Sequence, residues 1–393
     1  MGQMWIQKRV QTLPGSTAAI IKPQMLVWAR TTAGYEREDL ADRLRVAVER
    51  VRRWEEGDDP ISVAKLRAFA DLCGRPLAAF FLPAPPPEPE RPPEYRLASA
   101  AGPPRYSPAC IRALADARFV RDSAWEAIRT LGEPTAEFGV QLRLDQPVRD
   151  AAQAVRARLG VSVEAQLRND AGRRYGRWRD AAESAGVLVY QFSGVEVSEA
   201  RGFSLLEDHL PLVAINSQDA DTARTFTLFH ELVHIALGGG ALCAAPPHRS
   251  HPSRVERYCN AVAAEALVPG DYLLEHPDVA SHADPSIWSE SEVDGIARKF
   301  GVSASMLAWR LRDLDAMDRE VHDALQARLS QRRAKLSEGG PNHYVKMLSR
   351  LGRSYVRLIL NAYYRHAITA SEASGLLQVK VEGFSTMEDL AFR

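Results

Sequence analysis

The chain has 393 residues, enough for two or three domains, and its 50 Lys and Arg balance 50 Asp and Glu. A formal net charge of zero provides no global field toward nucleic acid or membrane. Cys73, Cys110, Cys243 and Cys259 show no CxxC spacing, residues 1–10 do not read as a signal peptide, and no apolar run approaches about 18 residues. A disulfide framework and a membrane span are thereby excluded, and a cytoplasmic protein is expected.

Residues 23–82 read as an all-α unit. Met25 to Arg30 opens a helix that ends near Gly34, Leu40 to Leu44 marks a second, Val48 to Trp54 a third stopped by Gly57, and Val63 to Leu72 a fourth. Leu40, Ala41, Leu44, Val46, Val51, Trp54, Glu55, Gly57 and Pro60, followed by Leu66, Phe69 and Ala70, give this unit its pattern. It resembles the Xre-type helix-turn-helix module. The third helix would then enter the major groove, with Arg45, Arg50, Arg52 and Arg53 as candidate DNA contacts. Glu49, Glu55 and Glu56 would repel the phosphate backbone, so a protein-docking role competes with DNA binding. Residues 83–97 follow as a Pro-rich linker of polyproline type.

Residues 98–330 read as a second domain of α+β class. Helices are expected over Ile111 to Leu131, Val148 to Leu159 and Tyr175 to Ala185. Strand-like runs follow at Val187 to Phe192, Gly202 to Leu206 and Leu212 to Asn216, the last two separated by a turn at 207–209. Gly202 to Leu206 is the candidate edge strand for pairing with an extended partner.

The next segment, Thr225 to Gly238, contains His230-Glu231-Leu232-Val233-His234. On a helix the two histidines are i and i+4, so both imidazoles leave one face and can share a metal. Glu231 stands beside the first of them, placed to take a proton from a water that the metal activates. Phe226, Leu228, Phe229, Leu232, Val233 and Leu237 make the rest of the helix apolar, so it should be buried. Buried polar groups need partners.

A third ligand is sought on a second amphipathic helix, Val255 to Leu267, which ends near Pro269. It offers Glu256 and Glu265. Asn260, at i+4 from Glu256, could hold a ligand histidine from behind, which favours Glu256. Cys259 on the same helix, like Cys73 in the first domain, reads as a core thiol. Between the two helices, 238–252 reads as a mobile loop over the cleft. Acyl transfer calls for a donor to the developing oxyanion, and His248, His251 and Tyr258 are the candidates.

Phe226-Thr227-Leu228, His230-Glu231-Leu232, Glu256, Asn260, Ala263-Ala264, Leu267 and Pro269 together resemble the ImmA/IrrE family of metallopeptidases. Val262 departs from the family's usual Phe, a change of packing and not of chemistry. The resemblance implies a zincin-like, gluzincin-type domain with a small sheet. Its zinc ion would be held by His230, His234 and Glu256, with Glu231 as general base. It further implies an endopeptidase acting on a regulatory protein, a helix-turn-helix repressor or an antitoxin, in stress, mobile-element or defence responses. The competing reading is a DNA-binding transcription regulator or antitoxin whose metal site is structural or inactive. Residues 331–393 are expected as a C-terminal helical module, with helices over Tyr344 to Tyr364 and Ser371 to Leu377.

Overall fold

A computed structural model describes residues 18–87, 106–134, 136–168, 174–206, 210–239, 242–243, 254–282, 284–330 and 342–392. They divide into two units, the first holding 18–87 and 106–112 and the second the rest.

In the first unit, α1 (Pro23–Thr32), α2 (Arg37–Leu44), α3 (Val48–Glu56) and α4 (Val63–Leu72) surround a core of Met25, Leu26, Leu40, Leu66, Phe69 and Phe80. Pro23 sits in the first turn of α1, where its missing N–H costs nothing. Gly57, at φ +82, closes α3 in the left-handed conformation that favours glycine. Glu55 faces inward and accepts hydrogen bonds from Arg30 and Arg37, each at 2.6 Å. The expectation that Arg45 belongs to the third helix is corrected. It is the left-handed residue (φ 53) that ends α2 and starts the turn.

In the second unit, α5 (Pro108–Leu131), whose first turn belongs to the first unit, leads into α6 (Val148–Leu159), α7 (Val163–Leu167) and α8 (Arg174–Ser184). The strands β1 (Leu188–Phe192), β2 (Gly202–Leu205) and β3 (Leu212–Asn216) follow, then α9 (Asp221–Ala236), β4 (Leu242–Cys243) and α10 (Arg254–Leu267). The region after Pro269, for which the sequence pattern suggested no elements, folds as α11 (Gly270–Leu274), α12 (Pro277–Ala280), α13 (Glu290–Phe300), α14 (Ala304–Asp313) and α15 (Arg319–Ser330). The C-terminal end carries α16 (His343–Leu351), α17 (Arg353–Tyr364), α18 (Ala370–Leu377) and α19 (Phe384–Phe392), in the same unit as the sheet. The single helix expected over Tyr344 to Tyr364 is two. Gly352 breaks it at φ +93, and a side chain there would strike Glu183 and the Val189 carbonyl.

The sheet runs β1-β3-β2-β4, with β1 parallel to β3 and the other pairs antiparallel. Every residue of β1, β2 and β3 is buried, so both faces are covered. Helices α8 and α9 pack on it from within the domain and α16 from the C-terminal end. The expectation of β2 as the edge is also corrected. Gly202 and Phe203 pair with Ile215 and Ala214 on one side and with Cys243 and Leu242 on the other.

Candidate metal centre

Helix α9 is the axis of the second unit. From Thr227 to Ala236 every residue is buried, because β2, β3, α8 and α10 all pack against it. Leu228, Phe229, Leu232 and Val233 supply the apolar contacts, and Phe229 meets Trp178 of α8 edge-to-face at 4.8 Å. The remaining face carries His230, Glu231 and His234, exposed by 5, 0 and 2 %. Helix α10 crosses it with Cys259, Val262, Ala263, Ala266 and Leu267 inward. That packing brings Glu256 over the two histidines.

The Nε2 atoms of His230 and His234 lie 3.1 Å apart. The Glu256 carboxylate places one oxygen 3.4 Å from each. Donors about 2.05 Å from a tetrahedral zinc ion lie roughly 3.3 Å from one another, so the triangle matches the ligand set of such an ion. Among the described residues this is the group of His, Cys, Asp and Glu side chains that could hold a metal. Its electrostatics agree. Burial pushes the Glu256 carboxyl up, but hydrogen bonds from His230 and His234 outweigh that and hold it well below the usual carboxylate range. Burial pushes His234 down, yet its hydrogen bonds to Cys259 and Glu256 and the charge of Glu231 raise it to about 11. A divalent cation would replace protons in a pocket already built for positive charge.

The sequence left Glu265 as the alternative third ligand. It lies elsewhere, ion-paired with Arg310 and accepting a hydrogen bond from the Gly270 N–H at 3.2 Å, so it ties α10 to α14 and α11. Asn260, expected behind a ligand histidine, is exposed. Cys259 on the same helix is fully buried, and burial pushes its thiol up while the neighbouring His234 opposes that shift. The Tyr258 hydroxyl is committed elsewhere, donating to the Gln146 carbonyl at 3.1 Å. His248 and His251 lie outside the described residues.

One further feature was missed in the sequence. Gly202 approaches α9 so closely that a Cβ there would lie 2.5 Å from Thr227 Cγ2 and 2.9 Å from the Ala214 carbonyl. The same Cβ would come within 3.7 Å of Glu231 Cγ, which places the sheet directly beside the acid. A lone glycine inside a strand marks a close approach of this kind, and that signal was available.

In the first unit, the candidate DNA contacts of α3 are all paired. Arg52 is ion-paired with Glu49 and Glu56. Arg50 and Arg53 lie 3.6 and 3.4 Å from Asp59.

Comparison with known families agrees with both units. Residues 26–80 match the helix-turn-helix family model, and residues 182–312 match the peptidase M78 model, described as the IrrE N-terminal-like domain. No curated protein and no solved structure matches the chain. No helix among the described residues is long and apolar enough to cross a membrane. The chain thus joins a helix-turn-helix segment to a segment of the IrrE N-terminal-like peptidase family.

Proposed function

We propose that the second unit is a zinc-dependent endopeptidase whose substrate is a regulatory protein, a helix-turn-helix repressor or an antitoxin. The observation that carries this reading is the donor triangle of His230, His234 and Glu256 with the buried carboxylate of Glu231 on the same helix. A site made only to hold structure closes its four positions with protein ligands and has no use for a neighbouring acid. When bound, the ion supplies Lewis-acid polarisation of a peptide carbonyl and acidifies water. Glu231 takes the proton of the attacking water and later delivers it to the leaving amine. Low exposure keeps that exchange out of bulk solvent, in a low-dielectric setting where charge interactions are stronger.

For the first unit we propose a docking role. The arginines that would reach DNA face carboxylates, and over residues 18–87 eleven Lys and Arg meet ten Asp and Glu. Nucleic-acid affinity comes largely from phosphate neutralisation, which this surface offers sparingly. A protein partner is the reading favoured, and tight, salt-dependent binding to duplex DNA is the result that would reverse it.

The test of the peptidase reading is reversible metal removal. Helix-turn-helix proteins encoded beside this chain's gene are incubated with protein as purified, after chelation, and after zinc is restored. Cleavage that disappears with the metal and returns with zinc supports the reading. Cleavage indifferent to chelation contradicts it.

A further inference from the structure

Residues of α6, α7, α10 and α11 line a cleft of about 490 Å³. Its charged side chains are Arg149, Arg156, Glu164, Glu265 and Asp271. Most have partners of their own. Arg149 pairs with Asp271, Glu265 pairs with Arg310, and Glu164 accepts a hydrogen bond from the Tyr272 hydroxyl at 2.7 Å. Arg156 differs. It is only 9 % exposed, and its guanidinium meets neutral acceptors: Gln166 Oε1 at 2.8 Å, the Ala266 carbonyl at 2.6 Å and the Val161 carbonyl at 2.9 Å. Those bonds use three of the five N–H groups of a guanidinium. The other two, one of them on Nε, have no acceptor among the described residues. Ala266 stands in the last turn of α10, so Arg156 caps that helix, whose end supplies about half a unit of negative charge. The remainder is uncompensated, and an unpaired buried cation is costly. Burial accordingly outweighs the attraction of Glu164 and Tyr272 and pushes the guanidinium down to about 10.

We propose that this cleft is a binding site for a small carboxylate, whose oxygens accept the free N–H groups of Arg156 and complete its charge. Carboxylate is the anion that suits the planar guanidinium and carries a single negative charge. Glu164, Glu265 and Asp271 at the same cleft would repel a dianion more strongly. The volume falls within the range of small-molecule sites, about 300–1,000 Å³. The cleft shares no residue with the metal triangle, so the inference stands apart from the zinc reading. A carboxylate held there would brace α6 against the last turn of α10, the helix that carries Glu256 at its start.

The test separates charge from shape. Hydrogen exchange of the full chain is followed over α6, α7 and the end of α10 with sodium butyrate and sodium benzoate. Butyramide and benzamide, at the same ionic strength, are the neutral counterparts. The expected result is slowing by a carboxylate as 1 + [L]/Kd, about 100-fold at a hundredfold excess over Kd, and none by the amides. Arg156→Gln should abolish the response. Gln153→Glu serves as the second variant. Residue 153 lines the cleft, is exposed, and lies one helical turn before Arg156, so the change keeps the shape and adds a negative charge. It should weaken carboxylate binding about tenfold. No slowing by either carboxylate, equal slowing by the amides, or a full response in Arg156→Gln overturns the proposal. If Arg156→Gln loses protection before any ligand is added, Gln153→Glu decides, and wild-type affinity in that variant overturns it.

Discussion

Gly202→Ala should loosen the junction between the sheet and the helix that carries the site. The added methyl carbon would stand 2.5 Å from Thr227 Cγ2 and 2.9 Å from the Ala214 carbonyl, whereas carbon atoms rest about 3.5–4.0 Å apart. The threonine methyl is buried and the carbonyl is backbone within the β2–β3 pairing, so neither can swing aside. Overpacking of this kind costs about 1–3 kcal/mol. Thr227→Ser removes one of the two obstacles at a cost of about 0.8 kcal/mol for the lost methyl. In the double variant the alanine should therefore cost less than in the wild type, by more than the roughly 0.5 kcal/mol scatter of independent sites. Hydrogen exchange of the amides of α9, β2 and β3 is the assay, because it reports the second unit without assuming that the whole chain unfolds in one step. Strictly additive losses, or an alanine variant as stable as the wild type, would refute the close approach and its cause.

Other expectations separate the residues of the site by role. Glu256→Ala should abolish stoichiometric zinc, while Glu265→Ala should keep it. The latter should lose about 3–5 kcal/mol, because Arg310 is left buried without its carboxylate; metal analysis beside thermal melting distinguishes the two. Tyr258→Phe should leave the rate of cleavage within a factor of about three, well short of the hundredfold lost with an oxyanion donor, since its hydroxyl serves Gln146. In the first unit, Glu55→Ala strands Arg30, which is only 8 % exposed, and should cost about 3–5 kcal/mol. Exchange protection of α1 and α3 should collapse while α9 stays protected.

Much of the site was legible because its chemistry depends on helical spacing. His230 and His234 one turn apart on an apolar run predict a buried pair on one face, and their Nε2 atoms lie 3.1 Å apart on a buried stretch of helix. The choice between Glu256 and Glu265 was also within reach. Nine residues at about 100° each is half a turn from alignment, so they had to face opposite ways. The burial of Cys259 and the exposure of Asn260 follow from the same stripe. Cys259 sits at its centre and Asn260 about 100° away, outside the buried face. What spacing could not show was long-range pairing. The interior position of β2 depends on Leu242 and Cys243, a pair too short to read as a strand. The break at Gly352 depends on Glu183 and Val189, far away in the chain. The inward turn of Glu55 likewise needed Arg30 and Arg37 in place around it.

The central claim is that Glu231 is the base of a zinc peptidase. It is tested most directly by comparing wild type and Glu231→Gln for zinc content and for cleavage of the helix-turn-helix proteins encoded beside the gene. Glutamine preserves shape but cannot take a proton. The account predicts one zinc per chain in both, with cleavage by the variant reduced about 100- to 10,000-fold, equivalent to roughly 2.7–5.4 kcal/mol of barrier. Equal cleavage by the two proteins would contradict it.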